Sequence, residues 1–319
     1  VSSGGTTGIT DGPLPVRFAV LSFPDIFPSF EFDFLFETLF SLVLLIIRLL
    51  FFNLNDKNFN ICQYKMYRIA VPSYQRYEGL GQKTLKTLSE HGFPIAMIDI
   101  FVANQDEYNK YKPLYPEYNI IIGEKGIREI REFIFLKHYS EGDYVVSIDD
   151  DIELFKMKNP RSWEKSCFKN DELDLQKEID LAFETCVKSG RHLWGIYPVD
   201  NHFFMKNDIS YDYKFIIGHF FGCIVKKELC SHTAEIGARD DYERSIKHYL
   251  ADGGVVRLNY ICAKTKYIAE GGIGIDRKAE ETLKLLVDTY PGLVSIKKKK
   301  DGPNPLLKDK RVICLITDE

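Results

Sequence analysis

From residue 67 onward, short β-rich apolar runs alternate with stretches of helical spacing, and this alternation most restricts the fold open to the chain. Residues 67–71, 98–103, 119–122 and 144–148 read as strands. Between them, 80–91, 106–115 and 126–139 carry apolar residues at helical intervals, with Gly92 closing the first of these helices. Strands joined by helices of this length require right-handed crossovers. They predict an α/β class with a mostly parallel sheet flanked by helices and ligands at the carboxyl ends of the strands.

The fourth strand ends on Asp149, Asp150 and Asp151. Adjacent carboxylates repel unless a cation neutralises them, and oxygen ligands suit magnesium or manganese, so the triplet is a candidate metal site for a phosphate-bearing substrate. A polar strand exit with its acids in solvent is the plainer alternative for the triplet taken alone.

The chain has 319 residues, 45% hydrophobic and 28% charged, enough for one large domain and far from a disordered composition. A formal net charge of −4 excludes a surface that is basic throughout, so a polyanion contact must come from a local patch. Lys297, Lys298, Lys299 and Lys300 form one basic run, with Lys264 and Lys266 as further candidates, although a solvated tail explains such a run as well. Seven scattered cysteines without a CxxC pair read as reduced thiols of an intracellular protein rather than as a zinc site or a disulfide framework. His202, His219, His232 and His248 show no ligand spacing.

Residues 1–65 differ in kind. They contain no methionine, open on a Gly/Ser/Thr-rich stretch, and carry an apolar run over 34–54 interrupted by Arg48. Two readings stand: sequence translated from upstream of a start at Met66, which the onset of domain organisation favours, or a membrane anchor. The expected organisation is a leader over 1–65, a catalytic domain over 66–293 and a basic tail over 294–319. The second half predicts a helix over 173–189, strands over 193–199 and 215–225, a helix over 240–250 opened by acids, and a long strand or strand pair over 255–267.

Several short segments then combine. Pro72-Ser73-Tyr74-Gln75-Arg76, Phe101-Val102-Ala103-Asn104, Gly126-Ile127-Arg128-Glu129-Ile130-Arg131 and Ile148-Asp149-Asp150-Asp151 are similar to the motifs of GT-A glycosyltransferases. Leu193-Trp194-Gly195-Ile196-Tyr197, Ile217-Gly218-His219-Phe220-Phe221-Gly222, Asp240-Asp241-Tyr242, Asp252-Gly253-Gly254 and Ala269-Glu270-Gly271-Gly272 narrow the likeness. Together they resemble the TET/JBP-associated glycosyltransferase family of viruses and eukaryotes, over about residues 67–293. The resemblance implies a GT-A fold and a metal-dependent enzyme that moves a sugar from a nucleotide-diphosphate sugar to a hydroxyl, with hydroxymethylpyrimidine in DNA as the expected acceptor. A non-catalytic nucleotide- or DNA-binding module and a membrane-tethered enzyme acting on protein or lipid are the rivals.

Carried over residue by residue, the resemblance implies that Asp149 and Asp151 face Mn2+ or Mg2+. Asp150, Pro72, Ser73, Tyr74, Asn104, Gly126 and Arg131 would surround the donor nucleotide. At Arg131 the family pattern has glutamine before and asparagine after, where this chain has Ile130 and Glu132. Asp240 and Asp241 are the candidates for the catalytic carboxylate, with Asp241 preferred, against the alternative that acids at a helix start serve only its dipole. Trp194, Tyr197 and Phe221 could stack on a sugar or an unstacked base, or simply fill the core. Gly218 and Gly222 would let backbone approach the donor.

Overall fold

The computed structural model describes residues 66–158, 173–233, 236, 239–265 and 279–294. All of them belong to the second of two compact units, Lys65–Glu319; the first, Val1–Tyr64, lies outside the described residues. The leader, the apolar run over 34–54, Lys266, the Ala269-to-Gly272 segment and the Lys297–Lys300 run therefore also fall outside them. No helix among the described residues is long and apolar enough to cross a membrane.

Nine described strands make one sheet in the order β3-β2-β1-β4-β8-β6-β9-β5, with β7 added on β9. They are β1 Arg68–Ser73, β2 Ile98–Val102, β3 Asn119–Ile122, β4 Tyr144–Ile148, β5 Ile152–Met157, β6 Leu193–Tyr197, β7 Ile209–Ser210, β8 Phe220–Ile224 and β9 Val256–Thr265. The helices are α1 Tyr77–Leu80, α2 Thr84–Glu90, α3 Gln105–Tyr111, α4 Ile127–Glu132 running on through Phe133–His138, α5 Leu175–Ser189, α6 Lys227–Cys230, α7 Asp240–Asp252 and α8 Ala279–Thr289.

The α/β expectation holds. Strands β1 to β4 pair in parallel throughout, as the intervening helices require. Antiparallel pairing enters at β8, where Ile148 faces Phe220, and β6 and β9 then pair in parallel with each other. The strand β5, which pairs antiparallel with β9, is not among the strands expected from the sequence. Its run Ile152-Glu153-Leu154-Phe155-Lys156-Met157 follows the aspartates directly, so the chain emerges from the acid loop and at once re-enters the sheet.

Both sheet faces are buried, and alternation along each strand assigns residues to them. Ile69, Val71, Val146, Ile148 and Phe220 pack with Leu85 and Leu88 of α2 and Ile179 and Phe183 of α5. Ala70, Phe101, Val145 and Phe221 pack on the other face with Ile130, Ile134 and Tyr139 from α4 and its continuation. A smaller cluster joins Tyr242 and Ile246 of α7 to Leu283 and Leu286 of α8. Four described cysteines, Cys186, Cys223, Cys230 and Cys262, are free and buried.

Candidate active site

The parallel half delivers the carboxyl ends of β1 to β4 to one edge, and the antiparallel entry brings the start of β8 beside them. The peptide N–H of Asp149 donates to the His219 carbonyl at 2.9 Å, which pins the first aspartate against the Gly218-His219 turn. Thr84 of α2 secures the loop from the opposite side, its hydroxyl bonded to the Asp149 carbonyl at 2.7 Å and to the Ile152 N–H at 3.0 Å. The backbone of the acid triplet is thus anchored on both flanks, by the His219 carbonyl and by the Thr84 hydroxyl.

Each aspartate has its own surroundings. Asp149 accepts from Arg131 Nη2 at 2.9 Å through Oδ1, and its side chain remains 28% exposed. Burial among neighbouring groups, with Asp151 and Asp150 adding repulsion, pushes its pKa up to about 6 against the pull of Arg131. Asp150 is buried, accepting from Ser73 Oγ at 2.6 Å and from Arg76 Nη1 at 2.6 Å, and burial again raises its pKa. Asp151 accepts from Arg76 Nη1 at 3.1 Å and from Thr265 Oγ1 at 2.7 Å.

Arg131 joins this triplet to the second pair of acids, although the two lie 91 residues apart in sequence (240 − 149). Fully buried, it donates from Nη1 to both oxygens of Asp240 at 3.1 and 2.9 Å and from Nη2 to Asp149 and to the Gly218 carbonyl at 2.8 Å. Arg244, one turn along α7, adds a second guanidinium to Asp240 at 3.1 Å and stacks 3.7 Å over the Phe221 ring. Burial alone would raise the pKa of Asp240, but the two guanidiniums outweigh it and bring the pKa down to about 2. Asp241 has the opposite fate. No lysine or arginine among the described residues pairs with it, one of its oxygens accepts only the Tyr242 N–H at 2.9 Å, and burial beside Asp240 pushes its pKa up to about 6.

Several sequence candidates have a part in the fold itself. Trp194 is fully buried between Phe183 and Phe220, so its faces are spent on the core and it offers no stacking platform. Phe221 is fully buried too, and the stacked guanidinium of Arg244 covers it. Gly222 lies under the Trp194 indole, which a Cβ would meet at 2.1 Å, so this glycine admits the protein's own side chain. Gly218 likewise makes room for Arg131, 2.8 Å from a would-be Cβ. Pro72 is buried in β1, in register with Phe101. Asn104 caps α3 by accepting the Glu107 N–H at 3.0 Å. Gly126 precedes α4 with φ 117°, where a Cβ would strike the Glu129 carboxylate.

Tyr74 and Tyr197 stay half-buried at the strand ends, with Lys125 5.3 Å over the first ring and Arg257 5.4 Å over the second. Arg76, Thr265, Thr84 and Arg244 were not singled out as site residues from the sequence. Arg76 had a signal, its place in the motif after β1, whereas Thr265 had none, because only the β5/β9 pairing carries it to Asp151.

Among the described residues, no group of three or more His, Cys, Asp or Glu side chains is arranged to hold a metal ion by itself. The donor set is nonetheless oxygen only, and Asp149 Oδ2 has no hydrogen-bond partner among the described residues. Magnesium and manganese commonly take one or two carboxylates and complete their shell with water and phosphate, so Asp149 and Asp151 fit such an ion.

No family model and no curated protein matches the chain. Among solved structures it is similar to S. aureus TarS 1–349 in complex with UDP-GlcNAc, at 13% identity and a TM-score of 0.47 over 70% of this chain and 65% of that one. It is also similar to the mannosyltransferase PcManGT from Pyrobaculum calidifontis in complex with GDP-Man and Mn2+, at 14% identity and a TM-score of 0.40 over 60% and 54%. A mycobacterial protein shows 9% identity and a TM-score of 0.43 over 78% and 86%. The chain spans less than two thirds of the TarS fragment, and likeness at this level leaves the chemistry to be argued from the site.

Proposed function

We propose that the chain is a GT-A-type glycosyltransferase that moves a sugar from a nucleotide-diphosphate sugar to an acceptor hydroxyl, the expected acceptor being hydroxymethylpyrimidine in DNA. One observation carries the reading: Arg131 binds both a strand-end aspartate and Asp240, which leaves Asp241, with a pKa of about 6, as the ionisable base beside the acid triplet. The DNA acceptor rests on the family resemblance alone.

In this scheme the acceptor oxygen attacks the anomeric carbon, forming the new glycosidic bond as the bond to the diphosphate oxygen breaks. Asp241 accepts the hydroxyl proton, which a carboxylate of pKa about 6 can do near neutral pH. Asp240 is held ionised by two guanidiniums and serves to keep Arg131 and Arg244 in place. Arg131 in turn holds Asp149 at the strand end. A divalent cation held by Asp149 and Asp151 would neutralise charge on the departing diphosphate. Tyr74, Ser73 and Asn104 stand at the carboxyl ends of β1 and β2, where a nucleotide is expected in a parallel sheet.

The test is incubation of the full chain with UDP- and GDP-sugars, Mn2+ or Mg2+, and DNA with and without 5-hydroxymethylpyrimidine, read by mass. Gain of one sugar on the modified DNA supports the reading. UDP or GDP binding without turnover anywhere in the panel favours a non-catalytic module, and absence of nucleotide binding refutes the proposal.

A further inference from the structure

Gln75 takes a φ of 57°, the only described residue other than glycine in the left-handed region. Two buried side chains impose that turn. Glu107 accepts the Gln75 N–H at 2.7 Å and Tyr111 OH accepts the Arg76 N–H at 3.1 Å. Both partners are themselves anchored, Glu107 by Lys110 at 3.0 Å and Tyr111 by Ser73 Oγ at 2.7 Å. Directly after this turn the Arg76 guanidinium lies on Asp150 at 2.6 Å and on Asp151 at 3.1 Å.

The oxygens of the triplet can be followed one by one. Both of Asp150 are engaged, by Arg76 and Ser73, and both of Asp151, by Arg76 and Thr265. Asp149 Oδ1 is on Arg131. A cation arriving at Asp149 and Asp151 therefore meets a full positive charge already seated on one of its ligands, and at contact distance like charges exclude each other.

We infer that Arg76 is a built-in counter-cation that competes with a divalent ion for Asp151, so that the ion enters as Arg76 withdraws, drawn off by the diphosphate of the donor. The inference rests on the proposed reading of Asp149 and Asp151 as metal-holding acids. A strained turn held by two buried anchors is a costly way to aim an ordinary surface arginine, and it suits a positioning residue. The consequence is linkage: divalent ion and nucleoside diphosphate each tighten the other, and part of that coupling resides in Arg76.

The experiment measures Mn2+ binding to the full chain from the electron paramagnetic resonance of free Mn2+, with and without UDP or GDP. Wild type, Arg76→Gln, the unbranched uncharged Arg76→Met and the charge-retaining Arg76→Lys are compared after circular dichroism confirms their folds. Arg76→Gln and Arg76→Met should bind Mn2+ alone roughly tenfold tighter or more, with a correspondingly smaller gain on adding nucleotide. Arg76→Lys should stay near wild type. If wild type binds Mn2+ with nucleotide while the uncharged variants match it without nucleotide, the role of Arg76 is refuted and the metal reading survives. If wild type shows no gain from UDP or GDP, the linkage is refuted. If no form binds Mn2+ under any condition, both Arg76's role and the metal part of the proposed function fall together.

Discussion

Asp240 and Asp241 are neighbours in sequence with opposite energetic signs, and exchanging each for asparagine separates them. Asp240→Asn removes the one carboxylate that pairs with the buried Arg244 among the described residues, and leaves Arg131 with Asp149 as its one carboxylate among them. Breaking a buried pair from one side costs about 3–5 kcal/mol. At roughly 2–4 °C per kcal/mol for a domain of this size, the melting temperature should fall by about 6–20 °C. Asp241 runs the other way. Its pKa in the folded chain, about 6, lies above its ordinary 3.8, so folding favours the protonated form. The associated stability is complete below pH 3.8 and is lost as pH rises to about 6, beyond which the ionised group carries a penalty on the order of 2–3 kcal/mol. Asp241→Asn removes that penalty while its amide oxygen can still accept the Tyr242 N–H. Thermal melts at about pH 8 should therefore show Asp240→Asn well below wild type and Asp241→Asn level with it or several degrees above, the second difference shrinking at about pH 5. Sugar transfer should vanish in Asp241→Asn despite its stability. An Asp240→Asn melt within about 2 °C of wild type, or an Asp241→Asn protein that is both destabilised and active, would refute the division of labour.

Four further outcomes follow from the same geometry. The transfer rate should rise with pH up to about 6 and then level off, because Asp241 accepts a proton only when ionised; a rate that is flat from about pH 5 to 8 removes it as the base. Asp149→Asn should abolish donor turnover with little change in melting, since its oxygen can still accept from Arg131 and its side chain is 28% exposed; full activity of this variant, or of wild type in chelator, contradicts the metal reading. Gly222→Ala should destabilise by about 1–3 kcal/mol in urea titrations, because the new methyl meets the buried Trp194 indole at 2.1 Å. Gln75→Gly should raise stability by up to about 1 kcal/mol in the same assay by relieving the left-handed turn.

The parallel half of the fold was legible because its signals are local. Each of β1 to β4 is a short apolar run closed by a turn or a helix start, and the edge at which they end follows from connectivity alone. The strand β5 was not legible, since Glu153 and Lys156 interrupt its apolar residues and only its pairing with β9 makes it a strand. The acids could be named from sequence because carboxylates in such density are uncommon at a strand end and at a helix start. Their partners could not. Thr265 reaches the site by a tertiary route, and no spacing rule links residue 265 to residue 151; Arg244 is the exception, one turn from Asp240 on α7. The aromatic and glycine candidates show the same dependence on tertiary structure: Gly222 admits the Trp194 indole, Gly218 admits the Arg131 guanidinium, and Phe221 lies under the guanidinium of Arg244. A motif read in one dimension does not say whether small residues make space for a ligand or for the protein itself.

The charge cluster also bears on what the site is for. Arg131, Arg244, Asp240 and Asp149 place four charged groups in a largely buried cleft, and Arg131 Nε and Arg244 Nε and Nη2 are buried without a hydrogen-bond partner among the described residues. Well-packed apolar residues of similar volume would serve stability as well or better, because charges taken out of water recover their desolvation cost only when every donor is satisfied. Stability therefore does not explain the cluster. The cluster holds Asp240 ionised; burial first and that negative charge second raise the pKa of Asp241, while Arg244 and Arg131 pull it down, with a net value of about 6. The same guanidinium that pairs with Asp240 also binds Asp149 at the strand end, so one buried side chain ties the acid pair at the start of α7 to the acid triplet after β4.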